Sequence, residues 1–205
     1  MTTLAKEDLE LLYKYASKCK FIIETGGGGD STKYLSKASI LNDSKMITIE
    51  IIKKRCKLID NVEYMNGWSI TYDDIIKKGD PSFVDVRKFK KVLKISKDFT
   101  DGMIAHGRKE LMTGEVDLIR KALKKYSDLE LDFFFCDSGE YCGLAEWNIV
   151  KNQIKIGGYF AAHDIYYPKS IKCFKVLKKI KKSKKWKIKE KTLSRQGLLI
   201  AQRIK

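Results

Sequence analysis

The chain has 205 residues, 43% hydrophobic and 11% aromatic, with only two prolines; such a composition buries a real core and excludes general disorder and collagen-like or mucin-like repeats. No apolar run approaches the roughly 20 residues that span a bilayer, and the acids in the opening MTTLAKEDLELLYKY interrupt the apolar stretch an export signal needs. The formal charge is +16, yet only six of the 42 basic residues are arginine (Arg55, Arg87, Arg108, Arg120, Arg195, Arg203), whereas specific nucleic-acid recognition draws on arginine's bidentate fork.

Ala5, Leu9, Leu12 and Ala16 follow one another at spacings of four, three and four, which predicts a helix within residues 4–18. Phe21-Ile22-Ile23-Glu24 reads as a short strand that breaks into Gly26-Gly27-Gly28-Gly29, and Ser31 and Thr32 open a helix through Ser39. Met46–Glu50 is a second strand ending in an acid, Ile52, Cys56 and Ile59 suggest a brief helix, and Val62–Met65 is a third strand. This β-α-β-α-β order opens a parallel sheet with crossover helices.

Residues 67–115 are less regular, punctuated by Gly79-Asp80-Pro81, Gly102, Gly107 and Gly114. A connection this long in a compact domain is usually functional or carries small elements of its own; Phe89–Ile95 reads as an extra strand, and a helix starting at Thr113 or Gly114 carries Val116, Ile119, Leu123 and Tyr126 on one face. Leu131–Cys136 (LDFFFC) is nearly all apolar, the signature of a central parallel strand covered on both faces, and ends at Asp137. Leu144–Ile154 reads as a helix, Tyr159–Ala162 as a strand ending at His163-Asp164, and Ser170–Ile180 as another helix. Trp186–Leu193 and Leu198–Ala201 are joined so tightly that they must form an antiparallel hairpin. The expected fold is α/β: one domain over residues 1–205, with a Rossmann-like, mostly parallel sheet, helices on both faces and a C-terminal antiparallel hairpin. Five cysteines (Cys19, Cys56, Cys136, Cys142, Cys173) with no CxxC pair argue against a disulfide framework or zinc site and for reduced thiols in a cytoplasmic protein.

Four glycines between a strand and a helix let a ligand approach the backbone where helix N–H donors are free. The dinucleotide fingerprint G-x-G-x-x-G fails, because its last glycine would fall on Ser31 or Thr32. Glu24 beside the bend repels a pyrophosphate and suits a cationic ligand, while Glu50 after the second strand is placed to accept hydrogen bonds from a ribose diol. Together they ask for a ligand with a ribose and a positive charge.

Glu24-x-Gly26, Gly29-x-Ser31-Thr32, Glu50, Asp137 and Gly157-Gly158 followed by His163-Asp164, in this order, resemble a class I S-adenosylmethionine-dependent methyltransferase. Within that class the sequence is similar to the small-molecule O-methyltransferases that include macrolide-sugar methyltransferases and cephalosporin-hydroxylase-type proteins. The resemblance covers residues 21–66 and 131–204 and implies a seven-stranded sheet. It implies that Glu24 and the loop Gly26, Gly28, Gly29 with Ser31 and Thr32 hold the methionine end of the donor. Glu50 would hold its ribose, Trp68 and Ser69 would contact its adenine, and Asp137 would face the methionine amine or a metal. In the metal-dependent members an Asp after strand four and an Asp-Asn pair after strand five hold magnesium or calcium; Asp137 and Asp164 match two of those positions, and the third is Ile165.

A sulfonium methyl is already activated, so the protein must align the acceptor and manage its proton. His163 is the first candidate base and His106 the second, with Asp164 beside His163 in the catalytic set; Glu140, Tyr141 and Tyr166-Tyr167-Pro168-Lys169 fall at the same sheet edge. The acceptor would be a small molecule or sugar, and residues 67–115 would form the lid over it. Three rivals stand beside this reading. One is ribose methylation of RNA, suggested by eleven lysines and one acid in residues 172–191, although the Lys-Asp-Lys-Glu set of those enzymes wants a lysine in strand five and Tyr159–Ala162 offers none. The others are a non-catalytic module of the same fold and a nicotinamide-dependent oxidoreductase, the last weakened by the failed fingerprint.

Overall fold

A computed structural model describes residues 4–56, 58–78, 114–139, 141–166, 170 and 172–205. Its elements run α1 (Lys6–Ala16), β1 (Phe21–Thr25), α2 (Asp30–Leu41), β2 (Lys45–Glu50), a 3-10 turn (Lys53–Arg55), β3 (Val62–Asn66), α3 (Tyr72–Lys78), α4 (Leu118–Lys125), β4 (Leu131–Cys136), α5 (Gly143–Val150), β5 (Ile154–His163), α6 (Phe174–Lys182), β6 (Trp186–Lys191) and β7 (Leu198–Arg203). The expected strand at Phe89–Ile95 and the residues His106, Glu140, Tyr167, Pro168 and Lys169 lie outside the described residues.

The seven strands form one sheet in the order β3-β2-β1-β4-β5-β7-β6. β1 to β5 pair in parallel, and β7 is antiparallel to both β5 and β6. Side chains alternate between the two faces of each strand, and the core divides accordingly. Ile22, Phe133 and Phe135 pack with Leu12 of α1 and Leu35 of α2 on one face. Phe21, Ile23, Phe134 and Phe160 pack with Ile119 of α4, Trp147 of α5 and Val176 of α6 on the other. The apolar LDFFFC segment is fully buried because it feeds both layers.

Several boundaries differ from the sequence reading; the helix expected from Thr113 or Gly114 starts at Leu118, and the one expected from Ser170 starts at Phe174. The helix expected over Leu144–Ile154 stops at Val150, and Ile154 instead begins β5, a ten-residue strand. The Gly157-Gly158 pair lies inside that strand, not ahead of it: Gly157 has φ +89°, and a Cβ on Gly158 would come 2.8 Å from the Asp132 carbonyl oxygen, where the β4–β5 register shifts. The helix expected over Ile52, Cys56 and Ile59 is only the 3-10 turn Lys53–Arg55.

The order 3-2-1-4-5 reverses direction between β1 and β4, and open α/β sheets bind ligands in the crevice outside the strand ends at such a point. Here that crevice is bounded by Gly26 after β1 and Asp137 after β4, tied by the Asp137 N–H donating to the Thr25 carbonyl at 3.1 Å.

Candidate functional site

The glycine bend follows from backbone crowding. Gly26 has φ +75° and donates its N–H to the Ile49 carbonyl at 2.9 Å; a Cβ there would meet the Asp137 carbonyl oxygen at 2.1 Å. A Cβ on Gly27 would meet Thr48 Cγ2 at 2.0 Å, and one on Gly28, with φ +86°, the Arg55 carbonyl oxygen at 2.5 Å. Gly29, which precedes α2, has nothing within 4 Å of such an atom. Three of the four glycines are therefore demanded by close approach.

Glu24 lies beneath this bend, wholly buried. Its Oε2 accepts from the Thr32 hydroxyl at 2.7 Å and the Thr48 hydroxyl at 2.9 Å, and Thr32 in turn accepts the Gly28 N–H at 2.7 Å. Its Oε1 is buried with no hydrogen-bond partner among the described residues. Burial pushes the carboxyl up to about 7, against the pull of the Ser31, Thr32 and Thr48 hydroxyls and with a smaller push from Asp137. Glu24 thus braces the loop from below and is not among the residues lining the cavity above it.

A cavity of about 280 Å³ opens above the bend, lined by Gly26, Glu50, Trp68, Ser69 and Asp137 together with Arg55 and residues near them in the chain. That is close to the lower end, about 300 Å³, of small-molecule clefts. Glu50 Oε1 accepts the Ile52 N–H at 2.7 Å and Oε2 lies 3.9 Å from the Arg55 guanidinium. Burial raises the Glu50 carboxyl above its usual range, with the Ile52 N–H and Arg55 opposing. Arg55, which the sequence reading did not single out, thus offsets Glu50 at the rim.

Trp68 and Ser69 follow β3, and the Trp68 N–H donates to the Glu115 carbonyl at 2.8 Å. The ends of the long connection after β3 therefore meet at the cavity rim. The Ser69 hydroxyl donates to Glu146 at 2.5 Å, and Glu146, wholly buried on α5, also accepts from Thr25 at 2.9 Å and Cys136 at 3.1 Å. Sequence reasoning missed Glu146; its signal was the one acid in the largely apolar helix GLAEWNIV.

A polar cluster closes the β4–β5 side. His163 ends β5 wholly buried, with Nδ1 hydrogen-bonded to Asp137 Oδ1 at 3.3 Å. Asp164 Oδ1 is 3.1 Å from that nitrogen but outside hydrogen-bond geometry, and His163 Nε2 is buried with no partner among the described residues. His163 does not line the cavity. Its ring is bonded instead to a carboxylate, that of Asp137, that does line the cavity. Asp164, with φ +61°, has its backbone N–H held by the Gly197 carbonyl at 3.1 Å. The Lys172 ammonium bridges Asp137 Oδ1 at 2.7 Å and Asp164 Oδ2 at 2.5 Å. Burial pushes the Asp137 carboxyl up, but the Lys172 charge and His163 outweigh it and hold the group below the usual carboxylate range.

No protein-family model and no curated protein sequence matches the chain. Solved structures do. The O-methyltransferase TomG from Streptomyces achromogenes, involved in tomaymycin synthesis and crystallised with S-adenosylmethionine, aligns with 98% of this chain and 82% of its own at a TM-score of 0.58 and 12% identity. An O-methyltransferase from Bacillus cereus in complex with the demethylated donor aligns over 98% and 82% at 0.55 and 12%. A Plasmodium falciparum protein described as a ribosomal RNA methyltransferase aligns over 98% and 97% at 0.54 and 13%. The chain therefore has the Rossmann-like fold of the class I methyltransferases, the seven-stranded sheet with a terminal antiparallel hairpin. Among the described residues no helix is long and apolar enough to cross a membrane.

Proposed function

We propose that the chain transfers a methyl group from S-adenosylmethionine to a hydroxyl of a small molecule or sugar. The observation that carries this reading is the convergence of Gly26, Glu50, Trp68, Ser69 and Asp137 on one cavity at the switch point of this fold. The cavity suits a cationic nucleoside. Two carboxylates, Glu50 and Asp137, line it beside the Gly26 backbone. Structural neighbours that hold the same donor or its product support it.

When bound, the donor supplies an already activated methyl group. The backbone of Gly26 and the ionised Asp137 carboxylate would hold its amino-acid end, Glu50 its ribose hydroxyls, and Trp68 and Ser69 its adenine. His163 and Lys172 fix the Asp137 carboxylate, each donating to Oδ1. Because His163 is wholly buried beside Asp137, we propose His106 as the general base for the acceptor hydroxyl; the segment that carries it, whose ends meet at the cavity rim, would cover the acceptor. Titration calorimetry tests this reading: donor and demethylated product should bind with micromolar affinity and NAD should not. No heat from either at millimolar concentration would overturn it.

A second reading, methylation of an RNA ribose, is favoured by Lys172 standing beside Asp137, which supplies the lysine that Tyr159–Ala162 lacks, and by the exposed lysines of α6 and the turn after it (Lys178, Lys179, Lys181, Lys182, Lys184, Lys185). It requires RNA affinity that falls steeply with salt, with a slope of several released ions.

A further inference from the structure

Asp137, His163 and Asp164 each present a ligand atom within 4.8 Å of the others, the arrangement that could hold a metal ion. The chemistry of the site contradicts that use. The Lys172 ammonium already contacts Asp137 Oδ1 at 2.7 Å and Asp164 Oδ2 at 2.5 Å, and its nitrogen lies 3.4 Å from the Asp137 main-chain oxygen. An ammonium has three donors and no acceptor, so these carboxylate oxygens are engaged by a cation that is part of the chain.

We propose that Lys172 is a built-in replacement for a divalent ion, holding Asp137 and Asp164 together so that this chain methylates its acceptor without a metal. The proposal rests on the methyltransferase reading of the site. Charge arithmetic supports it. Two carboxylates and one ammonium leave a residual charge of −1 in the trio; a divalent ion added beside the ammonium would take it to +1 in a poorly solvated site. Ejecting the ammonium instead would strand a buried cation, which is strongly unfavourable.

The backbone also keeps Lys172 in place. The side chain is 7% exposed. The Lys172 N–H donates to Ser170 Oγ at 3.1 Å, and the N–H of the next residue, Cys173, to the Asp164 carbonyl at 3.2 Å, so the segment carrying the lysine is tied to the Asp164 main chain. Gly143 at the start of α5 lets this segment come close: a Cβ there would be 2.6 Å from the Lys172 carbonyl oxygen. The position following Asp164, where a metal site would want a polar ligand, is the buried Ile165.

The test is Mn²⁺ binding to the full chain, followed by the paramagnetic resonance of the free ion, in wild type, Asp137→Asn, Lys172→Met and the double variant Lys172→Met/Asp137→Asn. Wild type should take up no more Mn²⁺ than Asp137→Asn does. Lys172→Met should gain a site at least about tenfold tighter, lost again in the double variant. Wild-type binding that Asp137→Asn abolishes would overturn the proposal, and so would a folded Lys172→Met that binds no better than wild type. If Lys172→Met does not fold, the wild-type comparison alone decides. No arm requires the donor, so failure of donor binding would sink the methyltransferase reading and leave this result separately legible.

Discussion

Replacing Glu24 by Gln isolates an effect whose size and sign follow from its burial. The carboxyl is pushed from its usual 4.5 to about 7 because it is wholly enclosed. A carboxyl raised on folding binds its proton more tightly in the folded chain, so it favours the fold at low pH and progressively disfavours it as pH rises from 4.5 through about 7. At about 1.36 kcal/mol per unit, wild type should lose roughly 2–3 kcal/mol relative to Glu24→Gln between about pH 5 and pH 8. The variant also has a pH-independent offset, since its amide replaces a carboxylate oxygen beneath the bend. The assay is therefore urea unfolding of both proteins across that range, reading the slope of the difference against pH and not its absolute value. A flat difference, or one that turns in favour of wild type as pH rises, would show that Glu24 is ionised throughout and that the bend is wetter than described.

Gly27→Ala should destabilise the chain by about 1–3 kcal/mol and weaken donor binding at least tenfold, because its Cβ has no room beside Thr48, whereas Gly29→Ala should cost under about 1 kcal/mol and leave donor affinity intact; thermal melts and calorimetry separate the two. Glu146→Ala strands the Thr25, Ser69 and Cys136 donors in the core, and should cost about 2–5 kcal/mol in denaturant unfolding. The two histidines should divide by kind of effect. His106→Ala should lower kcat by about 10²–10⁴ with donor affinity unchanged, while His163→Ala should lower stability and loosen donor binding through Asp137.

Much of the fold was legible because its signals are local. The apolar LDFFFC run announced a strand buried on both faces, the glycines after Glu24 announced the turn at the switch point, and the short link between Trp186–Leu193 and Leu198–Ala201 forced a hairpin. What escaped depends on contacts between distant segments. Lys172 is one of eleven lysines in a run that otherwise reads as a solvated face, and nothing local marks it as the one that turns inward. The end of a strand likewise does not say which way its last side chain points: Glu50 lines the cavity, whereas His163 ends its strand just as Glu50 does and is wholly buried, as is Glu24 one residue before the end of β1. The true start of β5 was hidden because a glycine pair usually announces a turn, and here it serves a bulge inside the strand.

The most direct test of the account is a crystal structure of the full chain grown with the demethylated donor product. The ribose hydroxyls should lie on the Glu50 carboxylate and the amino-acid end between Gly26 and Asp137, with the Lys172 ammonium still bridging Asp137 and Asp164. Product ordered elsewhere on the chain, or the cavity above Gly26 empty at saturating product, would contradict it.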